Sequence, residues 1–127
     1  MLKYSLYKIL SKEQQEKNIH ATLEINKNDA IFEGHFPGQP VLPGACMLQI
    51  LKEVLESSLS VSLRMKKADQ IKFPSPVDPS RNNILKLSLS YKENDDSMDV
   101  NASFTCGENT CLKFKGSFAN TEMNHAG

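Results

Sequence analysis

His35 is the residue best placed in this chain to move a proton near neutral pH. It lies within Phe32-Glu33-Gly34-His35-Phe36-Pro37-Gly38-Gln39-Pro40-Val41-Leu42-Pro43-Gly44, which holds three prolines and three glycines. Proline fixes φ and removes a donor, whereas glycine turns where a Cβ would clash, so this composition predicts a rigid, tightly turned loop around one imidazole. Pro43 suits the first turn of a helix, and no Ser, Thr, Asp or Asn lies just before it to cap the free N–H groups. Such a helix start offers backbone donors and the positive end of the helix dipole to a carbonyl oxygen or an anion. A base beside donors of that kind is the minimum equipment for removing a proton next to a carbonyl. On composition alone, a single histidine in such a loop more often braces a turn by hydrogen-bonding a carbonyl than it moves a proton.

The elements that must hold this loop read clearly in most places. Ala45 to Ser58 carries Met47, Leu48, Ile50, Leu51, Val54 and Leu55, apolar over more than half a helix circumference, which predicts a helix buried on most sides. Gln49, Lys52, Glu53 and Glu56 gather on the remaining side, where the plain reading is a solvated stripe. Tyr4 to Leu10 is expected as a first strand, with Ser11 to Lys17 as a polar turn or exposed connection. Ile19, Ala21, Leu23 and Ile25 alternate with polar neighbours and turn His20 to the exposed face. Val61 to Phe73 reads as a long strand whose alternation slips near Lys66-Lys67, at a bulge. After the proline-rich loop Pro74 to Pro79 come three regular strands carrying Leu85 to Tyr91, Met98 to Cys106 and Leu112 to Phe118 on one apolar face. One helix and about six strands predict an α+β fold, a curled antiparallel sheet around a single helix. The domain is expected over residues 1–119, with 120–127 a frayed tail.

Bulk properties narrow the function. The chain has 127 residues with 15 basic and 15 acidic side chains, so it lacks the basic excess of a nucleic-acid binder. Its 39% hydrophobic content is scattered, with no run long enough to span a bilayer, and the first residues do not read as a secretory leader. Three cysteines without CxxC spacing suit reduced thiols in the cytoplasm. Cys106 and Cys111 flank a hairpin turn and are read as small core residues rather than a disulfide. The histidines show no paired ligand spacing and no phosphate-cradling loop is present, so neither a metal nor another cofactor is expected.

Gly34 to Gly44 resembles the signature of the 3-hydroxyacyl-[acyl-carrier-protein] dehydratases, which are hot-dog-fold enzymes. Ala68-Asp69-Gln70-Ile71-Lys72-Phe73, followed by Pro76-Val77, resembles the strand and turn that come after the helix in that family. The order of elements agrees from Tyr4 to Ala119. The resemblance implies a long helix wrapped by the sheet and a homodimer with two active sites at the subunit interface. It implies a substrate carried by an acyl carrier protein, and loss of water from a (3R)-hydroxyacyl thioester to give the trans-2-enoyl thioester. By position, His35 would take the α-proton and the Gly44 N–H would polarise the thioester carbonyl, with Phe36, Ala45 and Met47 beside the substrate.

The family's acid position falls on Gln49, and a glutamine amide releases no proton at physiological pH. The family often carries a glutamine one turn later, where this chain has Glu53, so carboxyl and amide look exchanged between i and i+4. Glu53 is therefore expected to supply the proton, directly or through a water held by Gln49, and burial favours the neutral, proton-carrying form of a carboxyl. Two alternatives remain open: a hot-dog thioesterase in which Glu53 activates water, and an acyl-binding subunit impaired by Gln49. Arg64, Lys66, Lys67, Lys72 and Arg81 are candidates for a basic rim facing the acidic carrier protein.

Overall fold

The computed structural model describes residues 6–33 and 41–121. Six strands form one sheet: β1 (Tyr7–Gln15), β2 (Asn18–Ile25), β3 (Leu63–Lys72), β4 (Ile84–Glu93), β5 (Ser97–Cys106) and β6 (Asn109–Asn120). They lie in the order β1-β2-β4-β5-β6-β3, and every neighbouring pair is antiparallel. A short 3-10 turn (Ala30–Phe32) and the helix α1 (Gly44–Leu59) come between β2 and β3, so this segment crosses from near one end of the sheet to the other. A long helix against a curled antiparallel sheet is the α+β hot-dog arrangement that the sequence led one to expect.

Register explains why the sheet has one apolar face. Ile19 opposes Leu89, Leu23 opposes Leu85, Leu87 opposes Phe104, Ala102 opposes Phe114 and Met98 opposes Phe118. Each is a same-face cross-strand pair, and together they surround Ile50, Leu51, Val54 and Leu55 of α1, all 0% exposed. Burying each such side chain contributes about 1.5–3 kcal/mol, so the helix is held chiefly by its apolar stripe and not by its ends. At its C-terminus the backbone of Ser60 turns left-handed (φ 55°, ψ 47°), and the Glu56 carboxylate accepts the Leu63 N–H at 2.8 Å, tying the helix end to β3.

Two expectations need correction. Ser11 to Gln15 is not a turn but continues β1, because a polar edge strand has a hydrogen-bonded partner, here β2, without needing an apolar face. Glu53 is not on a solvated stripe; it is 5% exposed. The slip near Lys66-Lys67 is real, with irregularities between Met65 and Lys67 and again between Ala68 and Gln70. The three cysteines are free thiols; Cys111 is buried, while Cys106 is only half-buried.

The irregular course of β3 brings its backbone down onto Gly116 of β6. A Cβ there would collide with the Lys67 carbonyl oxygen and come within 2.8 Å of the Phe114 ring. The carbonyl belongs to the backbone and does not move aside cheaply. Gly116→Ala is therefore expected to destabilise the protein by about 1–3 kcal/mol through overpacking. Urea denaturation checks this: the midpoint should fall while the slope of the transition stays the same.

Candidate functional site

The chain leaves the 3-10 turn at Glu33 and is described again from Val41. His35 and Phe36 lie outside the described residues. At the far side, the Leu42 N–H donates to the Val77 carbonyl at 2.8 Å, pinning the approach to the helix against the proline-rich loop after β3. Pro43 is the N-cap, with extended backbone (φ −61°, ψ 144°) and no side-chain cap. Its carbonyl accepts from Cys46 N–H at 3.0 Å and Met47 N–H at 3.3 Å, so the N–H groups of Gly44 and Ala45 come before the first intrahelical bonds. The half-exposed Phe73 ring lies over Gly44, and a Cβ on that residue would come within 2.5 Å of the ring tip. Glycine is thus required for the ring to cover the first residue of the helix.

One and a half turns further on, the helix carries the second half of the site. The Gln49 amide Nε2 donates to Glu53 Oε2 at 2.8 Å, and the Tyr7 hydroxyl donates to Glu53 Oε1 at 3.0 Å. Among the described residues, Glu53 is the buried charged side chain of the core. The amide nitrogen of Gln49 faces Glu53, which leaves the amide carbonyl oxygen as an acceptor. The Tyr7 phenol is held far above the ordinary phenol range, first by burial, then by its hydrogen bond to Glu53 and by the charge of that group.

Gln49 lines a groove of about 300 Å³ with Ala45, Leu48 and Lys52 from α1, Arg64 and Met65 from β3, and Phe118 from β6. Leu48, Met65 and Phe118 give it an apolar part; Gln49, Lys52 and Arg64 supply the polar groups. Glu53 is not part of the lining and joins the groove through Gln49. Of the residues expected near the substrate, Gly44 and Ala45 are at the helix start, while Met47 is 2% exposed and belongs to the core. Four of the five rim candidates, Arg64, Lys66, Lys67 and Lys72, are on β3, and Arg81 lies in the loop before β4. Lys67 is paired with Asp69 at 3.2 Å. Tyr7 is the residue that reading the sequence missed. It sits 46 positions from Glu53, in a strand whose alternation is ambiguous, and no local pattern announces the pair.

A family model described as ApeI-like, ApeI dehydratase, matches residues 11–117. A 3-hydroxyacyl-[acyl-carrier-protein] dehydratase FabZ of Syntrophobacter fumaroxidans is 36% identical over 70 residues, covering 49% of this chain and 48% of that protein. A FabZ of Chlamydia trachomatis is 30% identical over 92 residues, covering 65% of this chain and 60% of the relative. The chain thus spans about half to three fifths of the length of these relatives. Among solved structures, the dehydratase heterocomplex ApeI:P from Xenorhabdus doucetiae superposes with a TM-score of 0.75 at 21% identity, covering 88% of this chain and 96% of that one. A hypothetical thioesterase with coenzyme A from Streptococcus pneumoniae superposes at 0.63 with 9% identity, covering 93% and 90% of the two chains. At these identities the likeness of structures speaks for the fold.

The raised Tyr7 phenol gives a pH prediction. The folded state keeps a proton that the unfolded chain releases near pH 10, so this contribution to stability is fully present below about pH 10 and is lost as pH climbs toward the folded value. Up to about pH 11, Tyr7→Phe should remove none of the tyrosinate absorbance that the folded wild type develops. An ultraviolet titration of the two proteins checks it.

Proposed function

Because the chain belongs to the ApeI-like dehydratase family, we propose that it eliminates water from a (3R)-hydroxyacyl thioester borne on an acyl carrier protein, giving the trans-2-enoyl thioester. The observation that carries this reading is the bond between Gln49 and the buried Glu53 on the helix whose uncapped start carries Gly44. His35 takes the α-proton, and the Gly44 N–H stabilises the negative charge that develops on the thioester oxygen. The electron pair of the broken C–H bond forms the double bond as the C–O bond breaks. Glu53 supplies the proton that turns the leaving hydroxyl into water. Since Gln49 lines the groove and Glu53 stands behind it, the transfer runs through a water held by the Gln49 carbonyl oxygen.

This reading includes a dimer. β3 is the last strand of the sheet and carries Arg64, Lys66, Lys67 and Lys72, so a second subunit added along it would place the groove at the interface and the basic residues around its mouth. A second copy of this chain is the partner proposed; the heterocomplex named for the Xenorhabdus structure makes a related but different subunit the second reading. Three free thiols suit the reducing cytoplasm, and no helix among the described residues is long and apolar enough to cross a membrane. No cofactor takes part.

Incubation with one 3-hydroxyacyl thioester tests the reaction class. Enoyl absorbance supports dehydration, free thiol would make the protein a thioesterase, and neither product would leave an acyl-binding subunit. Within the dehydratase reading, Glu53→Gln should lower kcat by about 100-fold or more, the usual range for a lost general acid. Gln49→Ala should lower it by about tenfold, since a displaced water still reaches the carboxyl. Full activity in Glu53→Gln would end the assignment of the acid.

A further inference from the structure

The phenol of Tyr7 touches the proposed acid yet has no part in the steps above. Its backbone is fixed at the start of β1: Tyr7 is paired with Ile25, and the adjacent Leu6 carbonyl accepts the Asn26 N–H at 2.7 Å. The side chain is 3% exposed. A phenylalanine would fill that space equally well; the hydroxyl is what a packing role leaves unexplained. It donates to one oxygen of Glu53 at 3.0 Å while Gln49 donates to the other at 2.8 Å. Gln49 and Glu53 share a helix, so their bond moves with that helix. A second donor arriving from the sheet fixes the plane of the carboxyl, and with it the direction of the amide.

We propose that Tyr7 is a positioning residue for the dehydration, its hydroxyl holding Glu53 so that Gln49 presents its carbonyl oxygen to the groove. This rests on the assignment of Glu53 as the acid. As Glu53 passes its proton to the water on Gln49, that water passes one to the departing hydroxyl. The buried carboxylate left behind then accepts both the Tyr7 O–H and the Gln49 N–H, charge-assisted bonds that stabilise it where bulk water is excluded. The proton held by His35 returns to Glu53 through solvent before the next turnover. Tyr7 itself gives up no proton, in keeping with the upward displacement of its phenol by burial and by Glu53.

The test is a double-mutant cycle on the full chain, using one 3-hydroxyacyl thioester and enoyl absorbance. Tyr7→Phe should lower kcat by about tenfold while KM stays within about twofold, which general loosening of the fold would not produce. Adding Tyr7→Phe to Glu53→Gln should cost nothing further, because a residue that acts through Glu53 has nothing left to hold. Unchanged kcat in Tyr7→Phe, or losses that multiply in the double variant, would overturn the proposal while leaving Glu53 as the acid. Full activity in Glu53→Gln would instead overturn the reading beneath it, and the proposal with it. Thermal melting monitors the fold. Should Tyr7→Phe not fold, 3-fluorotyrosine at position 7, in a background with Tyr4→Phe and Tyr91→Phe, keeps the hydroxyl and changes its acidity. A kcat shift of more than about twofold at constant KM then supports the positioning role, and an unmoved kcat overturns it.

Discussion

A carboxyl group buried against a sheet must be satisfied on both oxygens, and this requirement at Glu53 governs the arrangement around it. Isolated in an apolar interior, such a group would cost several kcal/mol. Here one oxygen is met from the same helix by Gln49 and the other from β1 by Tyr7. On this helix face the amide of Gln49 lines the groove and the carboxyl of Glu53 stands in the layer behind it. The helix therefore presents an amide to the groove and keeps a carboxyl one layer behind it, and on the proposed reading a water carries the proton across that layer.

The remaining architecture fixes the ends of this unit. The helix is clamped by apolar rows from β2, β4, β5 and β6, and its first residue is covered by the ring of Phe73, just past the end of β3. Leu42 bonded to Val77 fixes how the chain approaches that residue, and Glu56 bonded to the Leu63 N–H fixes how it departs. Both links are to β3 or the loop directly after it. The strand that ends the sheet thus sets the position of the helix along its own axis, and with it where Gly44 and Gln49 stand relative to β3.

Much of this was legible in the residues. Leu85 to Phe118 alternate with a period of two because one face packs and the other is wet, and the wide stripe of α1 could belong only to an enclosed helix. The slip in β3 showed as a broken alternation at Lys66-Lys67. The full length of β1 did not show, since Ser11 to Gln15 satisfies backbone groups on one side without burying side chains, and periodicity reports burial rather than pairing. Glu53 was misplaced by the stripe alone and put beside the site only by the family resemblance. A charged residue at the margin of an apolar stripe reads as exposed until its remote partner is known, and the Tyr7 that holds it lies in a segment with no clear period. His35 was singled out by composition and motif, from a stretch outside the described residues.

The order of strands also bears on how the chain reaches its native state. The meander of β4, β5 and β6 closes through short turns, whereas joining β2 to β4 brings together segments 60 to 72 positions apart, such as Ile19 with Leu89. Loops of that length close slowly, and non-local strand pairing delays folding. β1 and β2 form a local hairpin, so Tyr7 meets Glu53 when that hairpin joins the meander at β4. Until Tyr7 arrives, the carboxyl can remain hydrated, and its desolvation is deferred until its second donor is in place.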